Sequence, residues 1–353
     1  MIISRTPFRI SLFGGGTDYP AWFRRNGGEV LATTINKYCY LTCRYLPPFF
    51  EHRIRLVYSQ IENCHSVEEI RHPAVKAVLQ YLNFERGLEL HHDADLPARS
   101  GMGSSSAFTV GLLHALYALT GKTTGKLELA RQSIYVEQEL LKETVGCQDQ
   151  IQAAYGGLNH IEFLTSGDFV VRPTTLPAER VRELESQLML FYTGIKRTAA
   201  EIAGSFVPQI ERREPQLRAL RDTVRAGIAV LNGNDDIARI GTLLDEAWQA
   251  KRTLSAKVTN DDVDAIYADA RAAGAIGGKV TGAGGGGFML LFVPPGEQSA
   301  VRERLNRLIW VPLKFESRGS QIIFSDPEED HADAEAARRR QVVRGFREWT
   351  EVE

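Results

Sequence analysis

Cysteine is scarce in this chain of 353 residues. The four cysteines are Cys39, Cys43, Cys64 and Cys147. None of them forms a pair at the C-x-x-C spacing that is typical of zinc and redox sites. So few cysteines also exclude a disulfide framework of the kind that holds small secreted domains together. We therefore expect buried, reduced thiols in a cytoplasmic protein.

Long apolar runs and an excess of one charge are missing as well. No apolar run approaches the roughly 18 residues of a membrane-spanning helix, and the first residues do not have a signal-peptide pattern. Lysine and arginine number 42 against 44 aspartates and glutamates, a net charge of −2. We therefore expect neither a membrane nor a nucleic acid as partner. The length and the 43% hydrophobic content are typical of a globular protein with two domains.

The pattern of apolar residues predicts an α+β protein, because segments with strand-like alternation are interspersed with segments of helical period. Predicted strands cover 1–13, 29–45, 53–58, the hairpin 158–172, 188–193, 288–293, 311–316 and 320–324. Predicted helices cover 104–120, 126–142, 198–255, 261–273 and 297–308.

Proline and charged residues at 173–185 mark the predicted domain boundary, which separates residues 1–172 from residues 173–325. The remaining segment, 326–353, is a charged tail. We expect it to be solvated or partly helical, and a contact in a homodimer is the alternative.

A serine- and glycine-rich loop, PARSGMGSSSAF at 97–108, precedes the first predicted long helix. Glycines let the backbone approach a ligand, and the N–H groups at a helix start suit a phosphate. We expect Ser104, Ser105 or Ser106 to cap this helix. The alternative is a capped helix after a turn, without a ligand. The predicted phosphate-binding residues of the loop are Pro97, Ser100, Gly101, Gly103, Ser104, Ser105 and Ser106.

Two further segments make a ligand-binding interpretation more specific. They are RTPFRISLFGGGTDYP at 5–20 and GGKVTGAGGGGFMLLF at 277–292. With the loop at 97–108 between them, they resemble the three signature motifs of the GHMP kinases, the family of galactokinase, homoserine kinase, mevalonate kinase and phosphomevalonate kinase. The first motif of galactokinase is matched by Pro7, Arg9, Leu12, Gly14, Thr17, Asp18 and Tyr19. The GGGTDYP segment is most similar to the branch of sugar kinases that includes heptose phosphate kinases.

This resemblance implies a fold and a reaction. The fold would be a two-domain GHMP kinase, with an N-terminal layer like domain 2 of ribosomal protein S5 and a C-terminal ferredoxin-like α/β sandwich. The reaction would be ATP- and Mg²⁺-dependent phosphorylation of a sugar at its anomeric hydroxyl, with heptose 7-phosphate as the expected acceptor. The partners would be the small-molecule sugar phosphate and ATP.

The resemblance also implies catalytic residues. Asp149 would be the catalytic base, in a loop just after Gly146, and Arg9 would be a cation beside it. Glu137, on the second predicted helix, would bind Mg²⁺ together with Ser105. The neighbouring Glu139 and Glu143 are expected on the solvated surface.

The acceptor and the nucleotide are assigned further residues by the same resemblance. It implies Gly16, Thr17, Asp18 and Tyr19 as acceptor-binding residues and Gly282, Gly284 and Gly285 as nucleotide-binding glycines of the third segment. Lys196 and Arg197 follow a predicted strand and open a predicted helix, where helix start and side-chain charge both favour an anion, so we expect them to bind a phosphate of the acceptor; ordinary helix-start charges are the alternative. The third segment contains the letters of a dinucleotide-binding motif, but a strand rather than a helix follows its glycines, so that interpretation fails. The role of Lys279 in this segment stays open.

Other functions remain open at this point. Gly15 and Gly16 stand where galactokinase has Glu-His, which argues against an ordinary galactokinase. Another anomeric sugar kinase, for galactose or fucose, or a catalytically inactive sugar sensor are the alternatives.

Overall fold

The computed structural model describes residues 1–98, 100–195, 199–326 and 331–340. Its described strands are β1 (Ile2–Phe13), β2 (Gly28–Tyr45), β3 (Ile54–Val57), β4 (Ile61–Cys64), β5 (Leu88–Ala94), β6 (Asn159–Phe163), β7 (Phe169–Pro173), β8 (Leu188–Tyr192), β9 (Gly277–Val280), β10 (Phe288–Phe292), β11 (Ile309–Val311), β12 (Phe315–Glu316) and β13 (Gln321–Ser325). Its described α-helices are α1 (Pro20–Asn26), α2 (Pro73–Tyr81), α3 (Ser104–Leu119), α4 (Lys126–Tyr135), α5 (Gln148–Tyr155), α6 (Ala178–Gln187), α7 (Ala199–Gly204), α8 (Glu214–Asn232), α9 (Ala238–Arg252), α10 (Asp261–Ala272), α11 (Gln298–Arg304) and α12 (Ala332–Arg340). The predicted α+β class is confirmed.

The first sheet is built around the long antiparallel pair β1 and β2, whose register runs from Ile2 opposite Cys43 to Phe13 opposite Leu31. The strands follow the order β13-β1-β2-β5-β3-β4, and β6, β7 and β12 extend the sheet at β2. β1 is buried along its second half because helices cover it there. The motif residues at the end of β1 are therefore held by the most deeply packed part of this sheet.

Helix α3 lies across β1 and β2 and is buried at residues 106–113, 115 and 116. Gly111 allows the close approach, because a Cβ at this position would lie 2.9 Å from the Thr6 Oγ1 and 3.3 Å from the Leu41 Cδ1. The Ser4 hydroxyl donates a hydrogen bond to the Gly111 carbonyl at 2.9 Å. This packing fixes the start of α3, and with it the serine- and glycine-rich loop, relative to β1.

The second sheet is antiparallel, with the strand order β11-β8-β10-β9. All five residues of β10 and all four of β9 are buried. Helix α9 packs on β9 and β10, and α8 packs on α9 and also on β1 and β2. Because α9 contacts β9 and β10 of the second sheet and also β1 of the first, it joins the two sheets, and α8 packs on it from the side of the first sheet.

Several predicted elements differ from the observed ones. The strand predicted at 311–316 is two strands, β11 in the second sheet and β12 in the first, and β13 also pairs with β1. The chain therefore returns to the first sheet near its end, although the boundary at 173–185 itself stays a prediction. The helix predicted at 198–255 is interrupted by a 3-10 segment, Val207–Arg213, and by a turn before α9. Pro208 and Pro215 account for the first break, since proline stops or starts a helix.

The described part of the charged tail contains α12. Its Glu335 is buried and accepts a hydrogen bond from the Gly87 N–H at 3.2 Å, with Arg53 and Arg86 within 3.5 Å. This end of the tail is thus partly helical, as expected, and it docks on its own chain. Among the described helices, none combines the length and the apolar character needed to cross a bilayer.

Candidate active site

A cleft of about 1240 Å³ lies between the two layers. Typical small-molecule pockets have volumes of about 300–1,000 Å³, so this cleft has room for two ligands side by side. Residues of all three glycine-rich segments line it, together with the start of α5 and the end of α9. The segments that the sequence analysis singled out are therefore brought together in one place.

The start of α3 faces this cleft. Gly103, in the left-handed region with φ +72°, occupies the N-cap position, and the helix begins at Ser104. The prediction that one of the three serines caps the helix is thus wrong, because all three lie inside the first turn. Ser104 and Ser105 line the cleft, whereas Ser106 is buried behind them. The first turn of a helix leaves its N–H groups unpaired, so this end can receive a phosphate.

Two residues of the predicted phosphate loop stabilise the loop itself. The Ser100 hydroxyl is buried and donates to the Pro97 carbonyl at 2.7 Å, closing a turn. Gly101 has a φ of +79° and lies against the third segment. Pro97, Gly101 and Gly103 line the cleft.

The third glycine-rich segment packs against this loop backbone to backbone. A Cβ on Gly282 would lie 2.6 Å from the Gly101 Cα, and a Cβ on Gly101 would lie 2.7 Å from the Thr281 carbonyl oxygen. Gly282 and Gly284 line the cleft, while the Gly285 N–H donates to the Val258 carbonyl at 2.7 Å. The glycines are required here because no side chain fits between the two loops.

Arg9 and Asp149 form a bidentate ion pair in the middle of the cleft. The Arg9 Nε and Nη2 donate to the two carboxylate oxygens of Asp149, each at 2.7 Å, and Nη1 donates to the Gly101 carbonyl at 2.8 Å. A Cβ on Gly103 would lie 3.1 Å from the Arg9 Cγ, so this glycine gives the pair its space. Such fork-to-fork pairs fix both side chains in one geometry.

Asp149 was expected in a loop, and the structure corrects this. The residue lies in the first turn of α5, with Cys147 at the N-cap position. The loop was predicted because Gly146 stands just before Asp149, and a helix of only eight residues gives a weak periodic signal in the sequence. The helix start stabilises the negative charge of Asp149, since the N–H groups of the first turn lie nearby.

Glu137 lies in a π-helical turn, Val136–Leu140, that continues α4. Its Oε2 accepts hydrogen bonds from the Ser106 Oγ at 2.9 Å and the Gln150 Nε2 at 2.5 Å, while Oε1 is buried without a partner among the described residues. Burial raises the pKa of this carboxyl to about 8, although hydrogen bonds with Ser106, Gln150 and Thr109 oppose the shift. The structure thus places Ser106, rather than Ser105, on Glu137. The metal-binding roles of Glu137 and Ser105 stay predictions, and the described residues contain no cluster of three or more His, Cys, Asp or Glu ligands.

The turn after β1 presents Asp18 to the cleft. Its carboxylate oxygens accept from the Gly16 N–H at 2.9 Å and the Gln148 N–H at 3.4 Å. A Cβ on Gly146 would lie 1.9 Å from the Asp18 Oδ2, so glycine is required there. Burial raises the pKa of Asp18, and the negative charge of Asp149 adds to the shift.

The other predicted acceptor-binding residues differ in whether their side chains line the cleft. Tyr19 lines the cleft and packs edge-to-face on Phe206 with ring centroids 5.7 Å apart. The Thr17 hydroxyl lies within 2.9 Å of the Gly14 and Glu29 carbonyl oxygens, so this residue braces the turn from behind. Lys196 and Arg197 lie outside the described residues.

Sequence reasoning missed two polar groups of the cleft near the turn that carries Asp18. The Ser11 Oγ and the Gln148 Oε1 line the cleft and are buried without hydrogen-bond partners among the described residues. A Cβ on Gly15 would lie 3.2 Å from the Ser11 Oγ. No signal in the sequence distinguishes either residue, because each becomes significant only through burial.

Sequence reasoning also missed one of two buried lysines, Lys251, and left the role of the other, Lys279, open. Both side chains line the cleft. Lys279 donates to the Leu12 carbonyl at 3.0 Å, and Lys251 donates to the Gly282 carbonyl. Lys251 ends a helix of ordinary amphipathic pattern, so nothing in its sequence context points to the cleft.

The far end of the cleft is aromatic. The ring of His72 stacks on Phe108 with centroids 4.9 Å apart, and His92 meets Phe108 edge-on at 5.0 Å. Burial lowers the pKa of both histidines, which favours the neutral form at pH 7. All three rings line the cleft, so this part of it is suited to a planar heteroaromatic base.

Comparisons with known proteins agree with this arrangement. The model of the GHMP kinases N terminal domain matches residues 68–157, and the model of the GHMP kinases C terminal matches residues 228–309. The first range contains the serine- and glycine-rich loop, Glu137 and Asp149, and the second contains the third glycine-rich segment.

Three similar proteins illustrate the range of relatives. A D-glycero-alpha-D-manno-heptose 7-phosphate kinase of Campylobacter jejuni is 29% identical over 306 residues, which cover 83% of this chain and 90% of the relative. A mevalonate kinase of Methanothermobacter thermautotrophicus is 31% identical over 247 residues, 64% of this chain and 74% of the relative. The crystal structure of a D-glycero-D-manno-heptose 1-phosphate kinase from Bacteriodes thetaiotaomicron superposes with a TM-score of 0.75 at 25% identity, covering 92% of this chain and 100% of that chain.

Proposed function

Since this chain belongs to the GHMP kinase family and has its two-domain fold, we propose that it is an ATP-dependent sugar kinase whose acceptor is D-glycero-α-D-manno-heptose 7-phosphate. The product would be the 1,7-bisphosphate, formed at the anomeric hydroxyl for the synthesis of nucleotide-activated heptose. The observation that carries the kinase assignment is the Arg9–Asp149 pair, with both contacts at 2.7 Å. The pair lies between the phosphate loop at 97–108 and the turn after β1 that carries Asp18, which we call the acceptor turn. Because the reaction consumes ATP, we expect it in the cytoplasm.

The proposed reaction is a direct phosphoryl transfer. The anomeric oxygen attacks the γ-phosphorus of ATP, the bond from that phosphorus to the β,γ-bridging oxygen breaks, and ADP leaves. Asp149 accepts the hydroxyl proton, while Arg9 holds its carboxylate in place by two hydrogen bonds. The N–H groups at the start of α3 and the backbone of Gly101 and Gly103 hold the phosphates.

The acceptor turn supplies the partners for the sugar. Each carboxylate oxygen of Asp18 accepts one backbone N–H and keeps a further lone pair for a sugar hydroxyl. The unpartnered Ser11 Oγ and Gln148 Oε1 offer two more polar contacts. A Cβ on Gly15 would lie 3.2 Å from the Ser11 Oγ and 3.6 Å from the Gln148 Nε2, so glycine at this position leaves both polar side chains open to an acceptor.

The residues present fit the Mg²⁺ ion that accompanies ATP in kinases. The orphaned Oε1 of Glu137 is a buried carboxylate oxygen, and the hydroxyl of Ser105 lies in the same cleft, so both are ligands of the oxygen type that Mg²⁺ prefers. When bound, Mg²⁺ neutralises phosphate charge and orients the γ-phosphoryl group. Glu137 and Ser105 would hold it, with Ser106 and Gln150 fixing the Glu137 carboxylate from the other side.

Glu137→Gln is expected to raise the Mg²⁺ concentration needed for half-maximal rate by about 10-fold or more, because a neutral amide is a weaker ligand than a carboxylate. Ser105→Ala should produce a smaller shift in the same direction. Glu139→Gln is the matched control, since Glu139 lies exposed in the same π-helical turn. Measuring the reaction rate as a function of Mg²⁺ concentration checks this. Identical curves for Glu137→Gln and the Glu139→Gln control would contradict the assignment of Glu137 as a Mg²⁺ ligand.

The reaction itself is tested by identifying the product. The purified protein is incubated with ATP and Mg²⁺ and a panel of acceptors that contains D-glycero-D-manno-heptose 7-phosphate, free heptose, galactose and fucose. ³¹P NMR should show a new anomeric phosphate, with the highest rate for the heptose 7-phosphate. A preference for galactose or fucose would replace the heptose assignment with another anomeric sugar kinase. If the protein consumes ATP with none of the acceptors, a catalytically inactive sugar sensor would replace the kinase assignment.

A further inference from the structure

Lys251 and Lys279 are buried lysines that face the cleft without a carboxylate partner in the described part of the chain. They come from different elements, the last turn of α9 and the strand β9. Within the described part of the chain, their side chains donate hydrogen bonds to backbone carbonyls: Lys279 to Leu12, and Lys251 to Val280 and Gly282. An ammonium group has three donors, so Lys279 in particular keeps donors for a ligand.

A buried ammonium without a counter-charge is energetically costly. Burial accordingly lowers the pKa of Lys251 to about 8 and lowers that of Lys279 well below its usual value. Arg9 adds to the lowering of both pKa values, and the charge of Lys251 adds to that of Lys279. The Asp18 carboxylate opposes the lowering for both lysines, and the Asp149 carboxylate opposes it for Lys251. An anion placed between these groups would supply the missing partner for both lysines.

The position of the two ammonium groups indicates which anion this is. Lys251 donates to Gly282, which packs against Gly101 of the phosphate loop, whereas Lys279 donates to Leu12, just before the acceptor turn. The pair therefore lies between the phosphate loop and the acceptor turn, where the phosphoryl group passes from donor to acceptor. A phosphate on the seventh carbon of the sugar would lie at the opposite end of the acceptor from the reacting hydroxyl.

Arg9 alone is poorly placed to neutralise the phosphoryl group. Three of its five N–H donors are already used, two by Asp149 and one by the Gly101 carbonyl. Its charge is largely matched by that of Asp149. A transferring phosphoryl group carries charge on three oxygens, and further cations are needed to stabilise it.

We propose that Lys251 and Lys279 form a second cation site that contacts the phosphoryl group during transfer, in addition to Arg9. The proposal deepens the proposed kinase function and rests on it. The competing explanation is that the two lysines only brace the third glycine-rich segment through their backbone hydrogen bonds. The two explanations differ in what happens to ATP and ADP binding, because only ATP carries the γ-phosphate.

The test replaces each lysine by methionine, which keeps the length of the side chain and removes its charge. Lys251→Met and Lys279→Met should lower kcat with heptose 7-phosphate by on the order of 10²-fold, as other lost charge-stabilising groups do. The preference for ATP over ADP, measured by calorimetry with Mg²⁺ on the full chain, should fall by about 10-fold or more, while ADP affinity stays within about 2-fold. The melting temperature should not fall, since methionine is easily buried.

Two further variants keep the result interpretable. Lys257→Met is the matched control, because Lys257 follows α9 closely but is exposed and paired with Glu201 at 3.2 Å; it should retain wild-type kcat. Lys279→Arg should recover part of the ATP preference, because it restores the charge. It also provides the measurement if a methionine variant does not fold.

The outcomes separate this inference from the proposed function. An equal loss of ATP and ADP affinity, with a lower melting temperature, would overturn the inference in favour of bracing, and an unchanged kcat in both methionine variants would overturn it outright. A wild-type protein that phosphorylates no sugar would contradict the proposed function instead. The ATP-over-ADP preference would still test the cation site in that case, because it is measured without a sugar.

Discussion

Asp149→Asn is expected to lower kcat by about 10²- to 10⁴-fold, which would be the largest effect of any single substitution here. The amide has the shape of the carboxylate but cannot accept the proton of the attacking hydroxyl. ATP affinity should stay close to that of the wild type, since no phosphate-binding group is removed. Single-turnover measurement of phosphoryl transfer, combined with calorimetry for ATP, checks both parts.

A carboxylate in the first turn of a helix also stabilises that helix, by about 0.3–1 kcal/mol, and Asp149→Asn loses this contribution as well. Asp262→Asn controls for it, because Asp262 lies exposed in the first turn of α10. Asp149→Asn should lose more stability than Asp262→Asn, because it also breaks the bidentate pair with Arg9, and only Asp149→Asn should lose activity. If Asp149→Asn retains more than about a tenth of the wild-type kcat, another base removes the proton.

Arg9→Met should lower kcat by about 10²- to 10³-fold, the range observed when one charge-stabilising donor is removed from an active site. It should also destabilise the fold. Removing one partner of a fully buried pair costs about 3–5 kcal/mol, and the loss here should be smaller because the Asp149 side chain is 26% exposed and can be hydrated. Chemical denaturation and steady-state kinetics measure the two effects separately.

Arg5→Met is the matched control for this substitution, since Arg5 lies on the same strand and its guanidinium stacks on Tyr38 at 4.6 Å, away from the cleft. A double-mutant cycle with Asp149→Asn then isolates the energy of the pair. We expect the stability losses to be non-additive, because each single variant already breaks the same bidentate contact. Additive losses, or full activity in Arg9→Met, would mean that the pair does not work as a unit.

The sequence was a good guide to local structure wherever a pattern extended over many residues. The helix predicted at 104–120 is α3, the hairpin predicted at 158–172 is β6 and β7, and the helix predicted at 261–273 is α10. Each of these segments has apolar residues at a constant period or a clear turn signal between strands. The short elements α1, α2, β4, α5, α6 and β9 were missed, because too few residues define their period.

The juxtaposition of Arg9 and Asp149 was also predicted, although the two residues are 140 positions apart. The basis was not periodicity but the resemblance of the motifs that surround them. Where no motif existed, long-range placement could not be predicted. The return of β12 and β13 to the first sheet is one example, since strands of two and five residues are too short for their pattern to indicate which sheet they join.

The sequence by itself determined the three glycine-rich segments, the helix that starts after the phosphate loop and the family that these features resemble. All of these depend on residues close together in the chain, where steric and hydrogen-bonding preferences act locally. Only the tertiary structure decided that Lys279 reaches the Leu12 carbonyl across 267 positions, and that Lys251 faces the same cleft. Whether a lysine is solvated or buried against a ligand site depends on which distant surfaces pack around it, and no local pattern carries that information.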